Sequence, residues 1–118
     1  MQRWQAAVGQ MRAANGLSTF AGCWEMAAPF VLGYDTLPIP TINALIAGAI
    51  VALVSIHLLG TDHLSRMFWV VPVVGVWLII SPVILHYSGL PRTNDVTVGI
   101  VVAILGTWSA ITAVTASG

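Results

Sequence analysis

The sequence predicts an all-α polytopic membrane protein, with four transmembrane helices arranged as two tandem helical hairpins. Three observations predict it. Hydrophobic residues make up 58% of the 118 residues and charged residues only 7%, with a mean hydropathy of +0.92. Four apolar runs of membrane-crossing length follow one another, separated by short polar joints. The second pair of runs also repeats landmarks of the first at a nearly constant offset.

Composition narrows the function classes. A soluble domain carries about 25% charged residues, so this chain cannot clothe a water-facing surface. Formal net charge is zero and Lys is absent, which leaves nucleic acid no electrostatic footprint. A single cysteine, Cys23, excludes an internal disulfide and any multi-cysteine metal site. Phe20-Ala21-Gly22-Cys23, downstream of Arg3 and Arg12, resembles a lipoprotein cleavage box. Asn15 and Gly16 leave too short an apolar stretch before it for a signal core. No cleaved leader is therefore expected, and Cys23 is expected to be a small buried helix residue among apolar neighbours.

Residues 1–15 come first. Trp4, Val8 and Met11 recur at i, i+4, i+7, with Arg3, Gln5, Gln10 and Arg12 off that stripe, the pattern of an amphipathic interfacial helix at headgroup level. Residues 16–60 form the first two-helix unit and 67–118 the second. Their apolar runs are Leu17–Tyr34, Ile42–Leu59, Met67–Leu85 and Val96–Ala116, each of 18 to 21 residues. Such runs rise about 27–32 Å, the thickness of a bilayer core. The joints Asp35–Thr41, Gly60–Arg66 and His86–Asp95 carry Pro, Gly, Asn and charge, which is turn chemistry. Arg3, Arg12 and Arg66 fall on one side of this layout and Arg92 on the other, which places both termini in the cytoplasm.

The repeat has an offset of 53: Gly22-x-Trp24 returns as Gly75-x-Trp77, Pro29 as Pro82, Leu32-x-Tyr34 as Leu85-x-Tyr87, and Leu37-Pro38 as Leu90-Pro91. After a two-residue gap, Asn43, Gly48 and Ala52 return as Asn94, Gly99 and Ala103. Two units of two spans each insert in the same orientation, related by a pseudo-two-fold along the membrane normal. Gly-x-Trp, then Ser81-Pro82, then Leu85 and Tyr87, followed by Asn-x4-Gly, resembles the SPW-repeat family of small bacterial integral membrane proteins. The opening Arg3-Trp4-Gln5 also fits. The eponymous Ser-Pro-Trp stands as Ser81-Pro82-Val83 in one copy and Ala28-Pro29-Phe30 in the other. The resemblance implies a multi-pass protein of the bacterial cytoplasmic (inner) membrane and carries over no reaction.

Residue roles follow from position. Pro29 and Pro82 inside spans deprive the carbonyls of Glu25 and Leu78 of their helical partners, so packed kinks are expected there. Ala44, Gly48 and Ala52, and Gly99, Ala103 and Thr107, form small-residue faces expected to pack the second and fourth helices together as the bundle centre. Trp69, Tyr34 and Tyr87 suit an aromatic belt, and the deeper Trp24 and Trp77 suit packing or subunit contacts. Asn43 and Asn94 are kept by both copies. Glu25 is the one acid expected near mid-span, with Leu78 as its counterpart; it is read as a protonated hydrogen-bonding group rather than an ion relay. His57, His63 and His86 give no facing pair for a haem. His57 alone could reach a pigment magnesium, against the ordinary reading of a satisfied histidine. No Ser-His-Asp set, cysteine pair, phosphate loop or carboxylate pair is visible by spacing, so no enzyme activity and no metal are expected. Bound lipid, quinone or pigment is compatible with such a surface. The expected function is that of a non-catalytic accessory subunit of a larger membrane complex, respiratory or photosynthetic. The alternative is a small transporter or ion-conducting homo-oligomer using Glu25 and the proline-kinked helices.

Overall fold

The computed structural model of the chain describes residues 2–60 and 66–117. Helices α1 (Gln2–Val31), α2 (Pro38–Leu59), α3 (Val70–Ile84) and α4 (Leu90–Ser117) make up the fold, with a 3-10 turn, Arg66–Trp69, leading into α3. Pro38–Leu59, Met67–Ile84 and Leu90–Thr115 are long and apolar enough to cross a membrane; α1 falls short in apolarity. His63 and most of the middle joint lie outside the described residues.

Helix α1 has no break between the N-terminal segment and the first apolar run. The expectation of a separate interfacial helix is corrected. Ala7, Met11, Ala14, Asn15, Ser18, Gly22, Glu25 and Pro29 are all buried, so one stripe of 3.6-residue period runs straight through Asn15-Gly16. Met11 packs with Leu58, Phe68, Ala110 and Ala113. A single internal glycine costs about 1 kcal/mol, which burial of this stripe outweighs.

Each hairpin closes on glycine. A methyl group on Gly22 of α1 would stand 2.6 Å from the Ala52 amide nitrogen and 2.8 Å from the Gly48 carbonyl oxygen of α2. On Gly75 of α3 it would stand 2.6 Å from the Ala103 nitrogen and 2.9 Å from the Gly99 oxygen of α4. The small-residue faces thus serve α1–α2 and α3–α4, not the α2–α4 contact expected from sequence. Their partners are the glycines of the two Gly-x-Trp motifs, which permit backbone-to-backbone approach. The hairpins then join through α1 against α4 and, less extensively, α2 against α3. Ala47, Val51, Val71, Leu78, Val98 and Val102 form the shared apolar core.

The prolines sit in the last turns of α1 and α3 rather than in mid-helix. There each removes one bond close to a helix end. The freed Leu78 carbonyl is recovered by the Ser81 hydroxyl at 3.3 Å. Just beyond each helix, equivalent positions take the left-handed conformation: Gly33 at φ 83° and His86 at φ 60°. Pro38 then opens α2. Leu90-Pro91 opens α4 in the same way, so that helix begins well before the apolar run that marked it in sequence.

Candidate functional site

The repeated aromatic and amide residues meet at the end of the bundle where α1 and α3 finish and α2 and α4 begin. The Trp77 indole N–H donates to Asn43 Oδ1 at 2.8 Å. Asn43 Nδ2 donates to the Tyr87 hydroxyl at 3.0 Å and to Ser81 Oγ at 3.1 Å. In the other half, Trp24 Nε1 donates to Asn94 Oδ1 at 3.0 Å, and Asn94 Nδ2 donates to the Tyr34 hydroxyl at 3.2 Å. The Trp and Tyr of each repeat therefore hold the Asn of the other. These clamps cross between hairpins and obey the pseudo-two-fold residue for residue.

The first structural reason is spacing. Trp24 and Tyr34 stand ten residues apart, one inside the last turns of α1 and one in the turn that follows, so indole and phenol both reach one amide. The second is burial. An asparagine away from water must place both its donor and its acceptor, and an indole plus a phenol do so. This overturns the aromatic-belt reading of Tyr34 and Tyr87, whose hydroxyls turn inward. Trp24 and Trp77 likewise act through their N–H groups. Trp69 does face outward.

Glu25 and Asp95 join the two clamps. Both are fully buried, at 0% exposure, and Asp95 directly follows the Asn94 that bonds Glu25. Asn94 Nδ2 approaches the Glu25 oxygens at 3.3 and 3.5 Å. The Tyr87 hydroxyl donates to Asp95 Oδ2. Burial first, and then that hydrogen bond, push the Tyr87 phenol above its ordinary value, so it is a protonated donor at neutral pH. Two hydrogen-bonded chains result, Trp77–Asn43–Tyr87–Asp95 and Trp24–Asn94–Glu25, and they meet at the adjacent residues Asn94 and Asp95. Asp95 Oδ1 receives no hydrogen bond from the described residues.

Here the sequence reading is corrected twice. Glu25 is not near the middle of its helix; six residues, about 9 Å, separate it from the end of α1. Nor is it the only buried acid. Asp95 had been placed in the polar joint, because the apolar run of the fourth span begins at Val96. The signal that could have found it is the repeat itself. Leu90-Pro91 matches Leu37-Pro38, and a proline at the first helical turn starts a helix, which puts Asp95 in the second turn beside Asn94. The pairing with Glu25 spans 70 positions and no local spacing announces it.

Pro29, Pro82, Gly48 and Gly99 are packing residues around this centre, buried within the bundle. His57 and His86 are exposed, as is Cys23, which corrects its expected burial and lies on the outer side of α1, and no group of three metal-ligating side chains occurs among the described residues. A groove of about 320 Å³, lined by Trp24, Leu32, Leu90, Thr93, Asn94 and Thr97, opens outward beside the Trp24–Asn94 clamp. Toward the opposite end, Asn15 Nδ2 and the hydroxyls of Ser18, Ser55 and Ser109 are buried without partners among the described residues.

A duplicated, membrane-spanning helical bundle with paired Gly-x-Trp seams and crossed Trp–Asn–Tyr clamps defines the class. The SPW repeat domain profile matches residues 12–109, and the chain belongs to the SPW repeat family. No curated protein and no solved structure matches it.

Proposed function

We propose that the protein is a non-catalytic integral membrane protein of four spans, α1 included, acting as an accessory subunit packed within a larger assembly of the bacterial inner membrane, with both termini cytoplasmic. The observation that carries this reading is how α1 divides its side chains. Asn15, Ser18 and Glu25 are buried, whereas Leu17, Phe20, Phe30 and Val31 are exposed. From Asn15 to Val31, polar groups inside and apolar groups outside is the arrangement lipid demands, so the modest apolarity of α1 reflects this inner face together with the exposed Gln5, Gln10 and Arg12 before it.

Two further features support a packing role over conduction. The glycine seams bring α1 onto α2 and α3 onto α4 at backbone contact, which leaves those interfaces no lumen. The buried polar residues near the turns spend nearly all their hydrogen bonds on one another. What the molecule offers its surroundings is an apolar surface that includes Phe20, Phe30, Leu53, Ile104 and Trp108, suited to lipid and to other membrane helices. Extraction in mild detergent, followed by native electrophoresis and mass spectrometry, tests the proposal. Co-migration with larger subunits at fixed stoichiometry is the expected result. Migration as an isolated homo-oligomer that passes ions in reconstituted vesicles would overturn it in favour of a transporter.

A further inference from the structure

We propose that Glu25 and Asp95 together hold one proton, which makes the α1–α4 contact a proton-binding site, with Glu25 carrying the proton and Asp95 accepting from it. Charge comes first. Two fully buried carboxyl groups, on hydrogen-bond chains that meet at the adjacent residues Asn94 and Asp95, cannot both ionise without a compensating cation. The groups around them are neutral: Asn94 and Trp24 beside Glu25, Tyr34 and Tyr87 from the two turns, Asn43 from α2. The described basic side chains Arg12, His57, His86 and Arg92 all lie on the exposed surface.

Hydrogen-bond accounting points the same way. Asp95 Oδ2 takes the Tyr87 hydroxyl, and Oδ1 is buried with no donor. If both acids were ionised, neither could donate to the other, and that oxygen would stay orphaned at a cost of about 1–3 kcal/mol or more. A proton between them supplies the missing donor. Asp95 already accepts the Tyr87 hydroxyl. Glu25 has only the long contacts from Asn94 Nδ2, at 3.3 and 3.5 Å.

The repeat shows that the acids are not duplicated. Where Glu25 and Asp95 stand on one side of the pseudo-axis, Leu78 and Ala44 stand on the other, both fully buried. Each clamp meets one of the two acids, Tyr87 reaching Asp95 and Asn94 reaching Glu25. The acids lie beneath the turns, within about 9 Å of the helix ends. Toward the termini, α1 and α2 are in backbone contact at Gly22.

The chain contains one glutamate, so infrared spectroscopy of the full protein in lipid nanodiscs can read the site directly. At about pH 8, ordinary carboxyl groups, with pKa values near 4, are ionised. The proposal expects one protonated-carboxyl band there that shifts on ¹³C-glutamate labelling and vanishes in Glu25→Gln. No band in the wild type, two bands, or a band that moves only on ¹³C-aspartate labelling would each overturn it. Loss of the band on adding sodium at constant pH would assign the site to a metal cation and equally reject the proton. The isotope arm needs no variant and reads the site even if the substitution fails to fold.

Discussion

Asn43 and Asn94 each spend an amide on two aromatic partners from the opposite hairpin, so a single side chain governs how the two hairpins meet. Asn94→Leu strands the Trp24 N–H and removes the only donor that Glu25 receives among the described hydrogen bonds. Each orphaned buried group costs about 1–3 kcal/mol. Denaturation in mixed detergent should therefore show a loss of at least that size, while Trp24→Phe, which deletes one bond, should lose about 0.5–1.5 kcal/mol. The opposite outcome is expected at Ser18 and Ser55. Their hydroxyls are buried without partners among the described residues, so Ser→Ala relieves a desolvation cost and should leave stability unchanged or raised. Much of this was legible beforehand as identity: Trp, Tyr and Asn recur in both copies. Their crossing was not, because periodicity along one helix says which residues share a face and nothing about which neighbour that face meets.

Helices test the packing more sharply than side chains do. Gly22 and Gly9 both lie within α1, yet a methyl on Gly22 would meet α2 backbone at 2.6 Å and one on Gly9 meets nothing within 4 Å. Gly22→Ala should consequently cost about 1–3 kcal/mol through overpacking, whereas Gly9→Ala should gain about 0.5–1 kcal/mol through helix propensity. Equal effects in thermal melts would refute the seam. The two helix ends offer a second comparison, since Gly33 and His86 hold the same left-handed position in their repeats. Left-handed backbone costs an ordinary residue about 1–2 kcal/mol. His86→Gly is expected to stabilise by up to about 1 kcal/mol, offset partly by the freer unfolded chain, and Gly33→His to destabilise. The helices α2 and α3 were readable from apolar runs. The start of α4 was not, because its first turns carry Arg92, Thr93, Asn94 and Asp95, of which Asn94 and Asp95 turn into the network.

For the molecule as a whole, the arrangement with both termini on one side and the two longer turns on the other rests on arginine placement. In a Cys23→Ser background, single cysteines at positions 63 and 92 should divide cleanly. An impermeant maleimide added to intact cells should label position 92 and spare position 63; the reverse pattern would invert the orientation. The hairpin architecture was legible because the duplication repeats residues whose chemistry cannot be exchanged for generic hydrophobicity. The continuity of α1 was hidden by Asn15-Gly16, where the N-terminal segment of residues 1–15 meets the first two-helix unit in the sequence, although the inner stripe passes through it. The crossed clamps also bear on how the chain is connected. Because each hairpin's aromatic pair grips an amide on the other, nothing in the contact depends on the peptide link between them. Residues 2–60 and 66–117, produced as separate polypeptides in one membrane, should find each other and co-purify, and exchanging both asparagines for leucine should abolish that reunion. The fold is in this sense a dimer of half-molecules that happens to be written on one chain.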